Sequence, residues 1–97
     1  MIKEKIKNLI EDKLDIAHFE IKDTTSQHTN HINYKGGSHL RMKIVSNDFI
    51  DKSLVKRHQI IYSIINEFIQ KEIHAVILKT YTVEEFENLL KGNKKLE

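Results

Sequence analysis

The chain has 97 residues, of which 31% are charged and 39% hydrophobic; its formal net charge is +2 and it has no cysteine. That length suits a single domain, residues 1–97, with one modest core, and so small a charge does not by itself point to nucleic acid. The absence of thiols excludes disulfides, thiol catalysis and cysteine zinc sites, and no stretch is long and apolar enough to span a membrane. Met1 to Lys7 interleaves charged with apolar residues, unlike a secretion signal, so the cytoplasm is the expected location.

In chain order, Ile2, Ile6, Leu9, Ile10 and Leu14 fall on one helical stripe and predict a first helix over about residues 2–14. Ala17 to Lys22 alternates apolar and polar, as does Leu40 to Ser46, and each predicts a strand with one buried face. Between them, Asp23 to Ser38 is polar and aperiodic and contains Gly36-Gly37. A connection this long is expected to be mobile or functional. A turn around Asp48 to Ser53 leads into a helix over about 54–70, which Asp51 or Ser53 would cap. Leu54, Ile61, Ile65 and Phe68, widened by Ile60 and Ile64, form its inward stripe. Ala75 to Leu78 is apolar without alternation and predicts a strand covered on both faces. Thr82-Val-Glu-Glu85 has capping-box spacing and opens a last helix with Phe86, Leu89 and Leu90 inward. Gly92 is expected to end it, leaving about 92–97 as a frayed tail.

The order is αββαβα, an α+β fold with a small three-stranded mixed sheet. A strand–helix–strand crossover over residues 40–80 makes the second and third strands parallel. The first and second are expected to be antiparallel.

Six histidines are the chemically notable residues, with His28 and His31 in the long loop and His74 at the mouth of the last apolar run. Imidazole is a common ligand for zinc and copper. An iron–sulfur cluster normally needs thiolates, so cluster chemistry here must borrow sulfur from a partner. Read alone, a histidine placed like His74 is usually packed and hydrogen-bonded, and loop histidines are usually solvated. His28, His31 and His74 together are the candidates for a mononuclear site. His18 and His39 read as outward strand residues, and His58 as structural or part of a partner surface. Arg41, Lys43, Lys56 and Arg57 are candidates for a basic patch, against the commoner reading of an ordinary charged surface. There is no Gly-x-x-Gly nucleic-acid clamp, and phosphate contacts alone would be weak and salt-sensitive. No Walker loop, Rossmann glycines or Ser–His–acid motif is present, so an enzyme is not expected.

Ile44-Val-Ser-Asn-Asp-Phe49, Lys52-Ser-Leu-Val-Lys-Arg57-His58-Gln-Ile-Ile-Tyr62 and Ile73-His74-Ala-Val-Ile-Leu-Lys-Thr80-Tyr81-Thr82 resemble the BolA family, collinearly and over nearly the whole chain. The chain departs from the family pattern in several places. His28-Thr-Asn-His31 stands for the usual His-Ala-Gly-His, and Ser38-His39-Leu40-Arg41 for Ser-His-Phe-Lys. Asp51 replaces a glycine, and Val83 and Phe86 replace proline and tryptophan. The resemblance implies a type II KH-like fold and an adaptor that pairs with a monothiol glutaredoxin. The pair would share a [2Fe-2S] cluster, with thiolates from glutaredoxin and glutathione and imidazoles from this chain. By family position the ligands would be His74 and His28, with His31 the alternative loop ligand. The implied roles are iron–sulfur cluster assembly or trafficking, or iron regulation, with DNA-binding transcriptional regulation as the alternative. A monomer or weak homodimer is expected when the chain is alone.

Overall fold

A computed structural model describes residues 2–24, 38–69 and 73–96, with Ser38, His74 and 93–96 described by backbone alone. The elements are α1 (Ile2–Lys13), β1 (Ile16–Asp23), β2 (Ser38–Ser46), a 3-10 turn (Asn47–Phe49), α2 (Leu54–Ile69), β3 (Ile73–Tyr81) and α3 (Val83–Leu96). The αββαβα order is therefore the one expected. The sheet runs β1-β2-β3, with β2 antiparallel to β1 and parallel to β3.

Alternation along β2 fixes which face is which. Leu40, Met42 and Ile44 are buried with Ile6 and Ile10 of α1, Ile61 and Ile65 of α2, Phe49, Ile73 and Leu78. Phe19 and Ile21 of β1 and Val76 of β3 pack on the margin of this cluster. The inner face of the sheet thus carries α1 and α2. Truncating Ile61 or Ile65, both fully buried, to alanine would cost about 2–5 kcal/mol by lost transfer energy and the cavity left behind.

Ser53, rather than Asp51, caps α2: its Oγ accepts the Lys56 N–H at 3.1 Å. Asp51 instead takes a left-handed backbone, φ 64°, at the position where the family pattern has glycine, a conformation that aspartate tolerates better than most residues. The expected capping box of α3 forms. Glu85 N–H donates to Thr82 Oγ1 at 3.2 Å, and Thr82 N–H donates to Glu85 Oε1 at 2.9 Å.

Four expectations are corrected. The strand β3 is not covered on both faces: Ala75, Ile77 and Lys79 are exposed because little of the outer face carries a helix. Leu54 is 62% exposed, and the inward residue of the first turn of α2 is Arg57. Leu89 and Leu90 are exposed, and only Phe86 of that trio is partly buried. Helix α3 runs through Gly92 to Leu96, because Gly92 does not take the left-handed backbone that would end the helix there. Among the described residues no helix is long and apolar enough to cross a membrane.

A Cβ at Gly92 would meet nothing within 4 Å, so Gly92→Ala should stabilise the fold by roughly 0.5–1 kcal/mol through helix propensity. Thermal unfolding checks this; an unchanged or lower midpoint would mean that the last turns of α3 are not helical in solution.

Candidate functional site

The strand register decides which candidate residues can meet. Asp23, the last residue of β1, pairs with Leu40, and Ser38, the first of β2, pairs with Ile73. The β1–β2 connection therefore leaves and rejoins the sheet at the end where β3 begins. His74 is the second residue of β3, beside the register shift between Ser38 and His39. Thr24 ties the departing chain down there: its N–H donates to the His39 carbonyl at 2.8 Å and its hydroxyl to the same oxygen at 3.2 Å. His39 is half-buried rather than solvated. His28 and His31 lie outside the described residues, as does the side chain of His74. Among the described residues no group of three or more His, Asp or Glu side chains could hold a metal ion.

The opposite end of the sheet is held by polar groups whose role was not read from the sequence. Ser46 is fully buried. Its hydroxyl donates to the Asp15 carbonyl at 2.8 Å and accepts the Asp48 N–H at 3.1 Å, while Asp48 Oδ2 accepts the Asp15 N–H at 2.8 Å. Asn47 Oδ1 accepts the Val83 N–H at 3.2 Å. The Ser-Asn-Asp segment thus joins the α1–β1 junction, the end of β2 and the start of α3.

Arg57 is the strongest of these fastenings. It is 6% exposed. Its Nη1 and Nη2 donate to Glu85 Oε1 and Oε2 at 2.6 and 2.9 Å, a bidentate pair. Its Nε donates to the Lys52 carbonyl at 2.9 Å and Nη1 also reaches the Thr80 carbonyl at 3.4 Å. The Phe49 ring centroid lies 5.9 Å from its Cζ. Hydrogen bonds from Arg57, and then from the Thr82 backbone, lower the Glu85 carboxyl to about 2, while the Glu85 hydrogen bond raises Arg57.

This arrangement corrects the proposed basic patch. Arg57 is spent on Glu85, so it does not face outward. Lys56 is exposed on α2, which packs on the inner face of the sheet, whereas Arg41 and Lys43 belong to the outer face by alternation. Their neighbours across the sheet are instead Lys22 and Lys79: Lys22 pairs with Arg41, and Lys43 with Lys79. Glu20 approaches Lys43 at 3.8 Å and is hydrogen-bonded to His18. That bond, with Lys43 adding to it, holds the Glu20 carboxyl below its usual range. Phe86 stacks on His18 with centroids 5.2 Å apart and lies 6.0 Å from the Tyr81 ring. It closes one end of an otherwise open face.

Comparison with known proteins follows the same lines. A family model described as BolA-like protein matches residues 10–85. A Buchnera aphidicola protein, BU473, is 41% identical over 91% of this chain and 83% of its own length. The DNA-binding transcriptional regulator BolA of Escherichia coli is 32% identical over 92% of this chain and 83% of that protein. The solved BolA domain of SufE1 from Arabidopsis thaliana superposes with a TM-score of 0.75 at 34% identity, covering 84% of this chain and 92% of that one.

The Arg57–Glu85 pair carries a pH signature. The folded pKa of Glu85 is depressed, so its contribution is complete above the ordinary value of 4.5 and is lost as pH falls toward about 2. Because the Glu85 side chain is 46% exposed, solvent screening reduces the contribution to roughly 1–2 kcal/mol. Glu85→Gln should lose that amount at neutral pH and converge on the parent protein between pH 5 and 2, as followed by denaturant unfolding. Parallel stability curves across that range would refute the assignment.

Proposed function

This chain belongs to the BolA-like family, and from that premise we propose that it is an adaptor, not an enzyme, which pairs with a monothiol glutaredoxin in the cytoplasm. In that complex it supplies imidazole ligands to a shared [2Fe-2S] cluster, whose thiolates come from glutaredoxin and glutathione. His74 is the strand ligand and His28 the loop ligand, with His31 the alternative. The role is iron–sulfur cluster assembly or trafficking, or iron regulation.

The observation that carries the reading is the register: the roots of the histidine-bearing loop and the backbone of His74 stand at the same end of the sheet. The pairs Ser38–Ile73 and His39–Ala75 hold the backbone on either side of His74, and an anchored backbone favours binding. The donor set is chemically consistent, because imidazole completes an iron coordination sphere but this chain offers no thiolate to build one. A protein-docking role also suits the exposed apolar residues Ile50, Leu54 and Val55, 50–67% exposed around the start of α2.

A DNA-binding regulator is the second reading, and the function named for the Escherichia coli relative favours it. It has less behind it in this chain, because Arg57 faces Glu85 and the sheet separates Lys56 from Arg41 and Lys43. Titration of a DNA duplex at several salt concentrations addresses it; affinity no better than that of any small basic protein removes it.

Mixing the chain with cluster-loaded monothiol glutaredoxin should change the visible circular dichroism, and His74→Ala should abolish that change. His28→Ala and His31→Ala identify the loop ligand by which one behaves likewise. A spectrum that ignores the chain, or one identical with His74→Ala, would contradict the proposal.

A further inference from the structure

The outer face of the sheet holds an arrangement that folding alone does not explain. Lys22 stands directly opposite Arg41 across the antiparallel pair, and Lys43 opposite Lys79 across the parallel pair. Like charges placed opposite one another destabilise a sheet. Among the described residues Glu20, beside Lys43, is the one carboxylate forming an ion pair with any of these cations. The same residues, with Lys7 of α1, line an open trough of about 670 Å³. Ile77 pairs with Arg41, also lines the trough and is 51% exposed.

We propose that this open face, where Lys22, Arg41, Lys43 and Lys79 surround Ile77, docks an acidic extended segment of a partner protein. Residues on one face of a strand repeat every ~6.8 Å. The row Lys22–Arg41 and the row Lys43–Lys79 are one such repeat apart. An extended peptide with carboxylates at alternate positions has the same spacing, so successive carboxylates meet successive cation rows. Ile77 stands in the same row as Arg41, and an apolar residue taking the place of one carboxylate on that same face of the peptide covers it. A bound carboxylate also relieves the two like-charge contacts, so the cations are tolerated in the free protein and matched in the complex.

Nucleic acid fits this face less well. Single-strand binding draws on aromatic platforms, and the Phe86 ring at the edge of this face is already stacked on His18 with Tyr81 beside it. Phosphates make no use of an exposed isoleucine. The proposal is independent of cluster ligation, since none of its residues is a candidate ligand.

The test uses the full chain and a fluorescein-labelled peptide of alternating glutamate and serine with one central leucine, read by anisotropy. Binding that weakens with added salt is expected. Arg41→Glu combined with Lys79→Glu should weaken it by roughly tenfold or more, while Lys56→Glu leaves it unchanged. The same double variant should unfold at a higher temperature than the parent, because each change turns a like-charge pair into an opposite-charge pair. That gain separates lost docking from lost folding. No peptide binding, equal binding to the double variant, or tighter binding of an oligothymidylate of equal charge would overturn the proposal.

Discussion

The parallel pairing of β2 with β3 is the constraint on which the rest depends. It sets Ser38 opposite Ile73 and His39 opposite Ala75, so the chain returning from the histidine-bearing loop arrives beside His74. It also makes β2 the central strand, with its apolar residues beneath α1 and α2 and its charged residues on the open side. A shift of one residue in this register would exchange the two faces. Leu40, Met42 and Ile44 would face outward and Arg41 and Lys43 would be buried. The hydrophobic cluster under α2 therefore specifies where the backbone of His74 lies relative to the start of β2.

Parallel pairing requires a crossover, and Arg57 fastens the crossover at its base. One guanidinium reaches the turn before α2 through Lys52, the end of β3 through Thr80, and the cap of α3 through Glu85. The three junctions α1–β1, β2–α2 and β3–α3 are thus held by one side chain and by the Ser46–Asp48 network next to it. These fastenings lie at the end of the sheet away from His74. The other end, where β3 begins, carries the Thr24–His39 link.

Much of this was legible in the sequence. Alternation in Leu40 to Ser46 and the stripe through Ile61 and Ile65 identified the inner face, and Thr82 with Glu85 identified the last cap. Those signals are local, so the chain displays them directly. Arg57 was harder to read because its partner is 28 positions away; a cation in a helical first turn looks the same whether it faces water or a carboxylate. The apolar run Ala75 to Leu78 suggested burial on both faces, yet Ile77 is exposed, because hydrophobicity does not say whether a helix reaches that part of the sheet. Likewise Leu89 and Leu90 have the spacing of an inward stripe, but α3 covers the sheet mainly through Phe86. The basic surface is half visible in the sequence: Arg41 and Lys43 alternate along one strand, whereas Lys22 and Lys79 join them only through strand pairing.

The central claim, that this polypeptide places nitrogen on a shared iron–sulfur centre, is tested most directly by pulsed electron–nuclear hyperfine spectroscopy. The sample is the reduced complex of glutaredoxin with this chain labelled with ¹⁵N-histidine. Couplings from the labelled imidazoles, diminished when His74 is replaced by alanine, are the predicted result. A reduced cluster with no ¹⁵N coupling to this chain would contradict the claim.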